Sequence, residues 1–217
     1  MTTLTALAPL IVLTPWLIAG MAGYALATSA SPGPVNIVAA MAGAQYGVRR
    51  SVPYVLGVTA GFVVLLALVG LGLGLAFQNQ PWLRTAMAAL GGGYLIYLAV
   101  GLARADPAGL TQEAVRPPTA WSGLLAQWLN PKAWVVALSA VSLYTAEQDY
   151  MLSLAAFCLV FFVVCFASVL SWVAAGTLAS RLLGAPGRIR TFNRAMALLL
   201  IATVVAILGP ELTRALT

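Results

Sequence analysis

The chain has 217 residues, of which 62% are hydrophobic and only 7% are charged, and its net charge is +6 at pH 7. A soluble domain cannot bury so much apolar surface, so the composition excludes a water-soluble fold and predicts an all-α integral membrane protein in a lipid bilayer. The positive charge comes mostly from arginines between apolar runs, which suits lipid headgroups at a cytoplasmic surface and argues against nucleic acid as a partner.

The first predicted span begins at Thr14-Pro15-Trp16, where a threonine N-cap, a proline in the first turn and an interfacial tryptophan occur together. It is interrupted at Ser31-Pro32-Gly33-Pro34, because two prolines remove backbone donors and prevent a regular helix. The helix resumes at Val35, and the whole span is predicted over residues 15–47. Residues 1–13 have no lysine or arginine near their start, so we expect an extension here and not a signal peptide.

Two further spans complete the first half of the chain. They are predicted over residues 52–77 and 82–103, with the turn Gln78-Asn79-Gln80-Pro81 between them. The hydrophilic stretch 104–119 contains three prolines and is predicted to be a loop that divides the chain. The first half therefore covers residues 1–103.

The second half, residues 120–217, has the same order of features. Its proline break, Asn130-Pro131, follows the start of the fourth span by about ten residues, or about 15 Å, which places the break near the middle of the membrane. The spans of this half are predicted over residues 120–145, 151–179 and 192–209. We therefore expect one transmembrane domain of six helices, of which the first and the fourth are broken.

The positions of the arginines predict the orientation of these spans. Only two, Arg84 and Arg214, are expected near the ends on one side of the membrane. The other side has Arg49, Arg50, Arg104, Arg116, Arg181, Arg188, Arg190 and Arg194. By the positive-inside rule, the loops after the first, third and fifth spans are cytoplasmic and both termini are outside. Three spans per half then make the two halves an inverted-topology repeat.

Proline-interrupted spans at matching positions in two halves indicate a transport site, because the ends of half-helices present unsatisfied backbone groups. The free amides near Val35 suit a carboxylate, and the carbonyls freed before each break suit an ammonium group. The breaks thus predict a site for a small zwitterion such as an amino acid, and the alternative is that the prolines only kink the helices. The predicted binding residues are Ser31, Pro32, Gly33, Pro34, Asn36, Asn130, Pro131 and Lys132.

Lys132 is the only charged residue that these limits place inside an apolar run and away from the ends of the span, which marks a functional site. We expect it to attract a substrate carboxylate or to be a fixed counter-charge that moves between gated states, and the alternative is snorkelling to the cytoplasmic surface. Asn36 and Asn130 are expected to bind the substrate or to bridge the two breaks. Further polar candidates for lining a cavity, which would otherwise bond to neighbouring helices, are Gln45, Tyr94, Tyr97 and Gln127.

Several types of chemistry are not predicted. No aspartate or glutamate falls inside a predicted span, so no intramembrane carboxylate is available to carry a proton. Cys158 and Cys165 share one helix face about 10 Å apart, and we expect them to be packing residues and not a soft-metal or electron-transfer site. No metal or cofactor is predicted. Glycines four residues apart, such as Gly43 and Gly47, predict close packing of helices within one chain or in a homodimer.

The segments Ser31-Pro32-Gly33-Pro34-Val35-Asn36 and Gly47-Val48-Arg49-Arg50 resemble the LysE/RhtB family of amino-acid exporters. Leu129-Asn130-Pro131-Lys132-Ala133 resembles the second motif of that family, and residues 93–99 resemble its third span. The resemblance covers nearly the whole chain. It differs at Gly61-Phe62, where many members have an aspartate after the glycine, and this argues against a cationic amino acid as substrate.

This resemblance implies a transporter and not an enzyme. The expected activity is export of an amino acid or related metabolite through the bacterial inner membrane, by antiport driven by the proton-motive force. The alternative is a membrane-embedded thiol electron carrier or a metal-ion exporter, because distant relatives of this architecture resemble such carriers.

Overall fold

The computed structural model describes residues 13–74, 80–104, 117–145 and 149–216, and all regular structure among them is helical, as predicted. Most of residues 1–13, of the turn 78–81 and of the loop 104–119 lies outside the described residues. A π-helical segment, Val69–Leu73, continues the second helix. The seven α-helices of the described residues are α1 (Pro15–Ala30), α2 (Pro34–Leu68), α3 (Pro81–Arg104), α4 (Ala120–Trp128), α5 (Pro131–Tyr144), α6 (Tyr150–Leu183) and α7 (Pro186–Leu216).

Prolines and short polar residues define where these helices begin. The predicted N-cap of α1 is confirmed, because the Thr14 hydroxyl accepts a hydrogen bond from the Leu17 amide at 3.2 Å. Thr119 caps α4 in the same way. Proline stands in the first turn of α1, α2 and α5, where its missing N–H costs no helical hydrogen bond. The prolines that interrupt the spans are therefore also the residues that start the next helices.

The backbone of α2 leaves helical geometry at Gly47, which has φ 74° and ψ 173°. This glycine separates a helical segment at 34–46 from a second one at 48–68. L-residues with a side chain rarely adopt this conformation, which is almost exclusive to glycine. Gly47 therefore allows α2 to change direction just before Arg49 and Arg50.

Gly47→Ala is expected to lower the free energy of unfolding by about 1–3 kcal/mol, the usual cost of such backbone strain. The cause would be the backbone alone, since an added Cβ at Gly47 meets no atom within 4 Å. Thermal unfolding in detergent measures the loss. Gly23→Ala in α1 is the control, because that glycine is helical and its added Cβ also meets nothing within 4 Å. Equal unfolding temperatures for the two variants would contradict the prediction.

Three helical stretches of the described residues are long and apolar enough to cross a membrane, namely Pro34–Leu73, Tyr150–Leu183 and Gly187–Ala206. A shorter apolar helix covers Ala89–Gly101. Many large apolar side chains on these helices are exposed, such as Leu159 in α6 and Leu198 in α7. An outer surface of this kind suits contact with lipid hydrocarbon.

The centre of the fold is formed by α2 and α6, with α1 and α4 packed against them and α3 packed against α7. Glycines allow the backbones to approach closely. An added Cβ at Gly43 of α2 would overlap the carbonyl oxygen of Val173 in α6, and one at Gly176 of α6 would overlap the carbonyl of Ala40. The close approach of helices expected from the glycine spacing therefore occurs within a single chain at this contact.

Candidate functional site

The two helix breaks border one cavity of about 50 Å³ between α1, α2, α4, α5 and α6. Four residues of the predicted site line it, two from each break. These are Gly33, Asn36, Asn130 and Lys132. Its apolar wall includes Phe62 and Phe161, whose rings stack with centroids 4.2 Å apart. The structure thus brings the two proline motifs together, although about a hundred residues separate them in the chain.

One side chain bridges the breaks. The Lys132 ammonium, at the start of α5, donates a hydrogen bond to the Ser31 hydroxyl after the end of α1, with Nζ and Oγ 2.6 Å apart. The Ser31 hydroxyl in turn donates to the Thr28 carbonyl at 3.0 Å. The sequence predicted such a bridge for Asn36 and Asn130, as one of two possible roles. In the structure it is the lysine that spans the cavity.

The carbonyls at the first break already have donors. Asn36 Nδ2 donates to the carbonyls of Ser29 at 2.7 Å and Ser31 at 2.9 Å, and the indole N–H of Trp172 in α6 donates to Ala30 at 3.2 Å. The last carbonyls of a helix have no donor within the helix, and here side chains donate the missing hydrogen bonds. A substrate ammonium would therefore have to share or displace these bonds, which the sequence did not indicate.

The second break is held by its own side chains. Asn130 Oδ1 accepts from the Lys132 amide at 3.1 Å and so caps α5. The indole N–H of Trp134 donates to the Trp128 carbonyl at 2.7 Å, and that of Trp128 donates to Gly61 of α2 at 2.9 Å. Asn130 and the two tryptophans thus fix the geometry from which Lys132 extends.

The two breaks differ in the free amides that they offer. Asn130 caps the N-terminus of α5, whereas no side chain caps the N-terminus of α2, which follows Gly33. The Lys132 Nζ lies 3.5 Å from the place where a Cβ on Gly33 would stand. The positive end of the α2 dipole and an ammonium group therefore lie side by side at the cavity, an arrangement that attracts an anionic group.

Two further polar side chains line the cavity. Gln127 of α4 is only 8% exposed and lines the cavity, and no hydrogen bond of its side chain is recorded. The Ser29 hydroxyl is buried and has the Cys165 thiol as its polar neighbour at the cavity. Buried polar groups are normally paired, so unpaired ones at a cavity indicate bound water or a ligand. Ser29, Phe161 and Trp172 were not singled out in the sequence, although a tryptophan far inside an apolar run, away from the interfaces, was a usable signal. Phe62 was noted there only as a departure from the family pattern.

The other cavity candidates lie elsewhere. Tyr94 and Tyr97 line a separate cavity of about 670 Å³ beside Arg104 and Trp121, and Gln45 accepts a hydrogen bond from Asn193 of α7 at 3.2 Å. Of these four candidates only Gln127 borders the central cavity.

The two cysteines are also separated by their surroundings. Cys165 lines the central cavity, where the Thr59 hydroxyl lies 4.0 Å from its sulfur, whereas Cys158 does not line it. Both thiols are free. Within the described ranges, no group of three or more histidine, cysteine or acidic residues could hold a metal ion.

A family model described as LysE type translocator matches residues 26–210. The chain belongs to this family. A cysteine/O-acetylserine efflux protein of Klebsiella pneumoniae is 28% identical over 199 residues, which cover 90% of this chain and 98% of the relative. One of Escherichia coli O139:H28 is 30% identical over 198 residues, covering 90% and 99%. One of Salmonella typhi is 31% identical over 144 residues, covering 65% and 72%. No solved structure matches the chain.

The family resemblance carried by the two proline motifs is thus confirmed, and both motifs fall inside the matched region. Membership in a translocator family agrees with the apolar helices, and the chain is a membrane-spanning transporter.

Proposed function

We propose that this translocator exports a small zwitterionic amino acid or related metabolite from the bacterial cytoplasm across the inner membrane, by antiport driven by the proton-motive force. The observation that carries the proposal is the cavity between the two helix breaks. It joins an uncapped helix N-terminus, the Lys132 amine and the unpaired Gln127 amide in one space. Family membership and relatives named for efflux of cysteine and O-acetylserine support it.

The proposed architecture has six membrane spans in two inverted three-span repeats. The first broken span is α1 with residues 34–46, and the second is α4 with α5. The remaining spans are residues 48–73, α3, α6 and α7. Both termini lie outside, and the arginines that follow Gly47 face the cytoplasm. The presence of one interrupted span at the start of each half supports this arrangement.

In the proposed complex, the substrate carboxylate binds the free amides of Val35 and Asn36 at the N-terminus of α2. The substrate amino group points to the negative end of α1, where Ser29 and Ser31 present hydroxyls. The side chain lies toward Phe62 and the thiol of Cys165, a surface that suits a short side chain with a polar or thiol end. Cysteine and O-acetylserine have this size and charge.

Alternating access requires that the cavity widen. Its volume of about 50 Å³ is far below the roughly 300–1,000 Å³ of ordinary ligand pockets, so we propose that the cavity enlarges when a substrate binds. On one side of the cavity, Tyr24, Tyr144 and Phe157 form an aromatic cluster, with the last two ring centroids 5.0 Å apart. On the other side lies the glycine contact of α2 with α6. We propose these as the outer and the cytoplasmic barriers.

The test is efflux from proteoliposomes loaded with L-cysteine under reducing conditions, with and without an imposed pH gradient. Asn130→Ala and Lys132→Ala are each expected to lower gradient-driven efflux at least about tenfold, the equivalent of about 1.4 kcal/mol. Ser142→Ala is the matched control, since Ser142 is exposed in the same helix and bonds only to Leu138. If both cavity variants transport like the wild type, the site assignment is wrong.

The same assay tests the thiol-carrier alternative. Cys158→Ser combined with Cys165→Ser removes every thiol of the chain. Efflux that survives in this variant excludes electron transfer or soft-metal transport through the cysteines. Efflux that survives in Cys165→Ser and disappears only when Cys158, which does not line the cavity, is also replaced would favour the thiol chemistry over the amino-acid site.

A further inference from the structure

The Lys132 ammonium lies at the C-terminal end of α1, where a helix stabilises positive charge. Its hydrogen-bond partner is the Ser31 hydroxyl, which follows directly on the last residue of α1. The C-terminus of a helix carries partial negative charge and attracts cations. Among the described residues Lys132 has no ion pair. The charge of its ammonium is stabilised by this helix end and by the Ser31 hydroxyl. The lysine thus places a tethered amine at the negative end of α1.

A zwitterionic substrate places its own ammonium at the same position. The negative end of α1 and the positive end of α2 are separated only by residues 31–33. A carboxylate on the amides of α2 therefore holds the neighbouring amino group of an α-amino acid beside Ser31. Two ammonium groups about 4 Å apart in a cavity shielded from bulk water repel each other. The charged lysine and the substrate ammonium cannot occupy this place together.

We infer that Lys132 is the coupling residue of the transporter, because its ammonium competes with the substrate amino group for the Ser31 position. When one N–H bond of the ammonium breaks, the proton passes to water, the electron pair stays on Nζ, and the neutral amine releases the position. The substrate then binds, and the neutral amine can accept a hydrogen bond from the substrate ammonium. This inference rests on the proposed antiport and names the group that carries its proton.

Competition between a proton and a substrate for one site is what antiport requires. The transporter then changes between its inward-facing and outward-facing states with either the proton on Lys132 or the substrate in the cavity, and never with both. Lysine suits this role because its charge can be lost in a buried site, whereas arginine remains charged. No intramembrane carboxylate is predicted to carry the proton, and Lys132 would carry it instead.

The other titratable groups around the cavity do not offer the same chemistry. Cys165 of α6 lines it and becomes anionic when it loses a proton. Tyr24 of α1 and Tyr54 of α2 donate their hydroxyl hydrogens to backbone carbonyls of α5 and α2. Gln127 of α4 also lines the cavity, and its amide does not titrate. Lys132 is the basic group among the described lining residues.

The experiment measures binding of L-cysteine to the purified full-length protein at about pH 5.5 and about pH 7.5, a range in which free L-cysteine stays zwitterionic. Wild-type affinity is expected to fall about tenfold for each pH unit of acidification, as one competing proton requires. Lys132→Met is expected to bind independently of pH, more tightly than the wild type at the lower pH, and to lose accumulation driven by a pH gradient. Lys132→Arg is expected to bind weakly at both pH values.

The opposite pattern would overturn the inference. If Lys132→Met loses binding and Lys132→Arg keeps it, the lysine is a fixed counter-charge for the carboxylate. A wild-type affinity that is equal at both pH values, together with working exchange of L-cysteine, would reject Lys132 as coupling residue and leave the proposed export intact. A wild-type protein that neither binds nor exchanges L-cysteine would reject the proposed substrate class, and the coupling inference with it. Thermal unfolding of each variant verifies that it is folded.

Discussion

Gly43→Ala and Gly176→Ala are each expected to lower the free energy of unfolding by at least about 1–3 kcal/mol, the usual cost of overpacking. The added Cβ at Gly43 would overlap the Val173 carbonyl, and that at Gly176 would overlap the Ala40 carbonyl. Backbone atoms cannot rotate away as a side chain can, so α2 and α6 would have to move apart. That movement would also break the hydrogen bond from the Thr177 hydroxyl to the Gly43 carbonyl, at 2.9 Å.

Thermal unfolding in detergent and the yield of monodisperse protein measure this effect. Gly93→Ala is the matched control, because Gly93 lies in α3 and an added Cβ there meets nothing within 4 Å. It should be neutral or stabilising by up to about 1 kcal/mol, since alanine favours helix over glycine. Gly43→Ala with the unfolding temperature of the wild type would show that the two helices do not approach as described. The contact matters for transport because α2 also carries the amides of the proposed carboxylate site.

The helical fold and the two breaks could be predicted because their causes are local. A membrane permits only structures that satisfy every backbone group internally, and prolines end helices through their own ring and missing N–H. The N-cap at Thr14 is predictable for the same reason. The Gly47 conformation was not predicted, because a glycine permits a left-handed backbone without requiring it.

The partners of the polar atoms in the site could not be predicted, because they depend on packing between distant segments. Trp172 and Ala30 are 142 residues apart, yet the indole of one bonds the carbonyl of the other. Helices in lipid are apolar on most faces, so periodicity does not show which face meets a cavity. For this reason Tyr97, Gln45 and Gln127 looked equivalent in the sequence, and only Gln127 borders the central cavity.

Asn36→Asp and Asn130→Asp are the same chemical change at the two breaks, and we expect opposite results. Asn36 is 6% exposed and acts as a donor, because its Nδ2 bonds the carbonyls of Ser29 and Ser31. A carboxylate there would face two carbonyl oxygens without any hydrogen to share. Loss of both bonds and burial of an unpaired charge should cost about 3–5 kcal/mol of unfolding free energy.

Asn130 is also buried but acts as an acceptor, because its Oδ1 receives the Lys132 amide. Aspartate keeps that acceptor and adds a negative charge at the N-terminus of α5, a position that favours anions by about 0.3–1 kcal/mol. The added charge also lies two residues before Lys132, whose side chain carries an ammonium. Asn130→Asp should therefore retain the unfolding temperature of the wild type or exceed it.

Unfolding temperatures of the two variants, measured at about pH 5 and at about pH 8, decide the matter, since a carboxyl group titrates near pH 4 unless burial shifts it. At the lower pH, Asn36→Asp should recover part of its loss, because a protonated carboxyl can donate one hydrogen bond to a carbonyl. Asn130→Asp should show no such recovery. Equal losses in both variants would mean that the Asn36 amide does not hold the first break through its two donors. The end of α1 would then be open to a substrate ammonium even while Asn36 is in place.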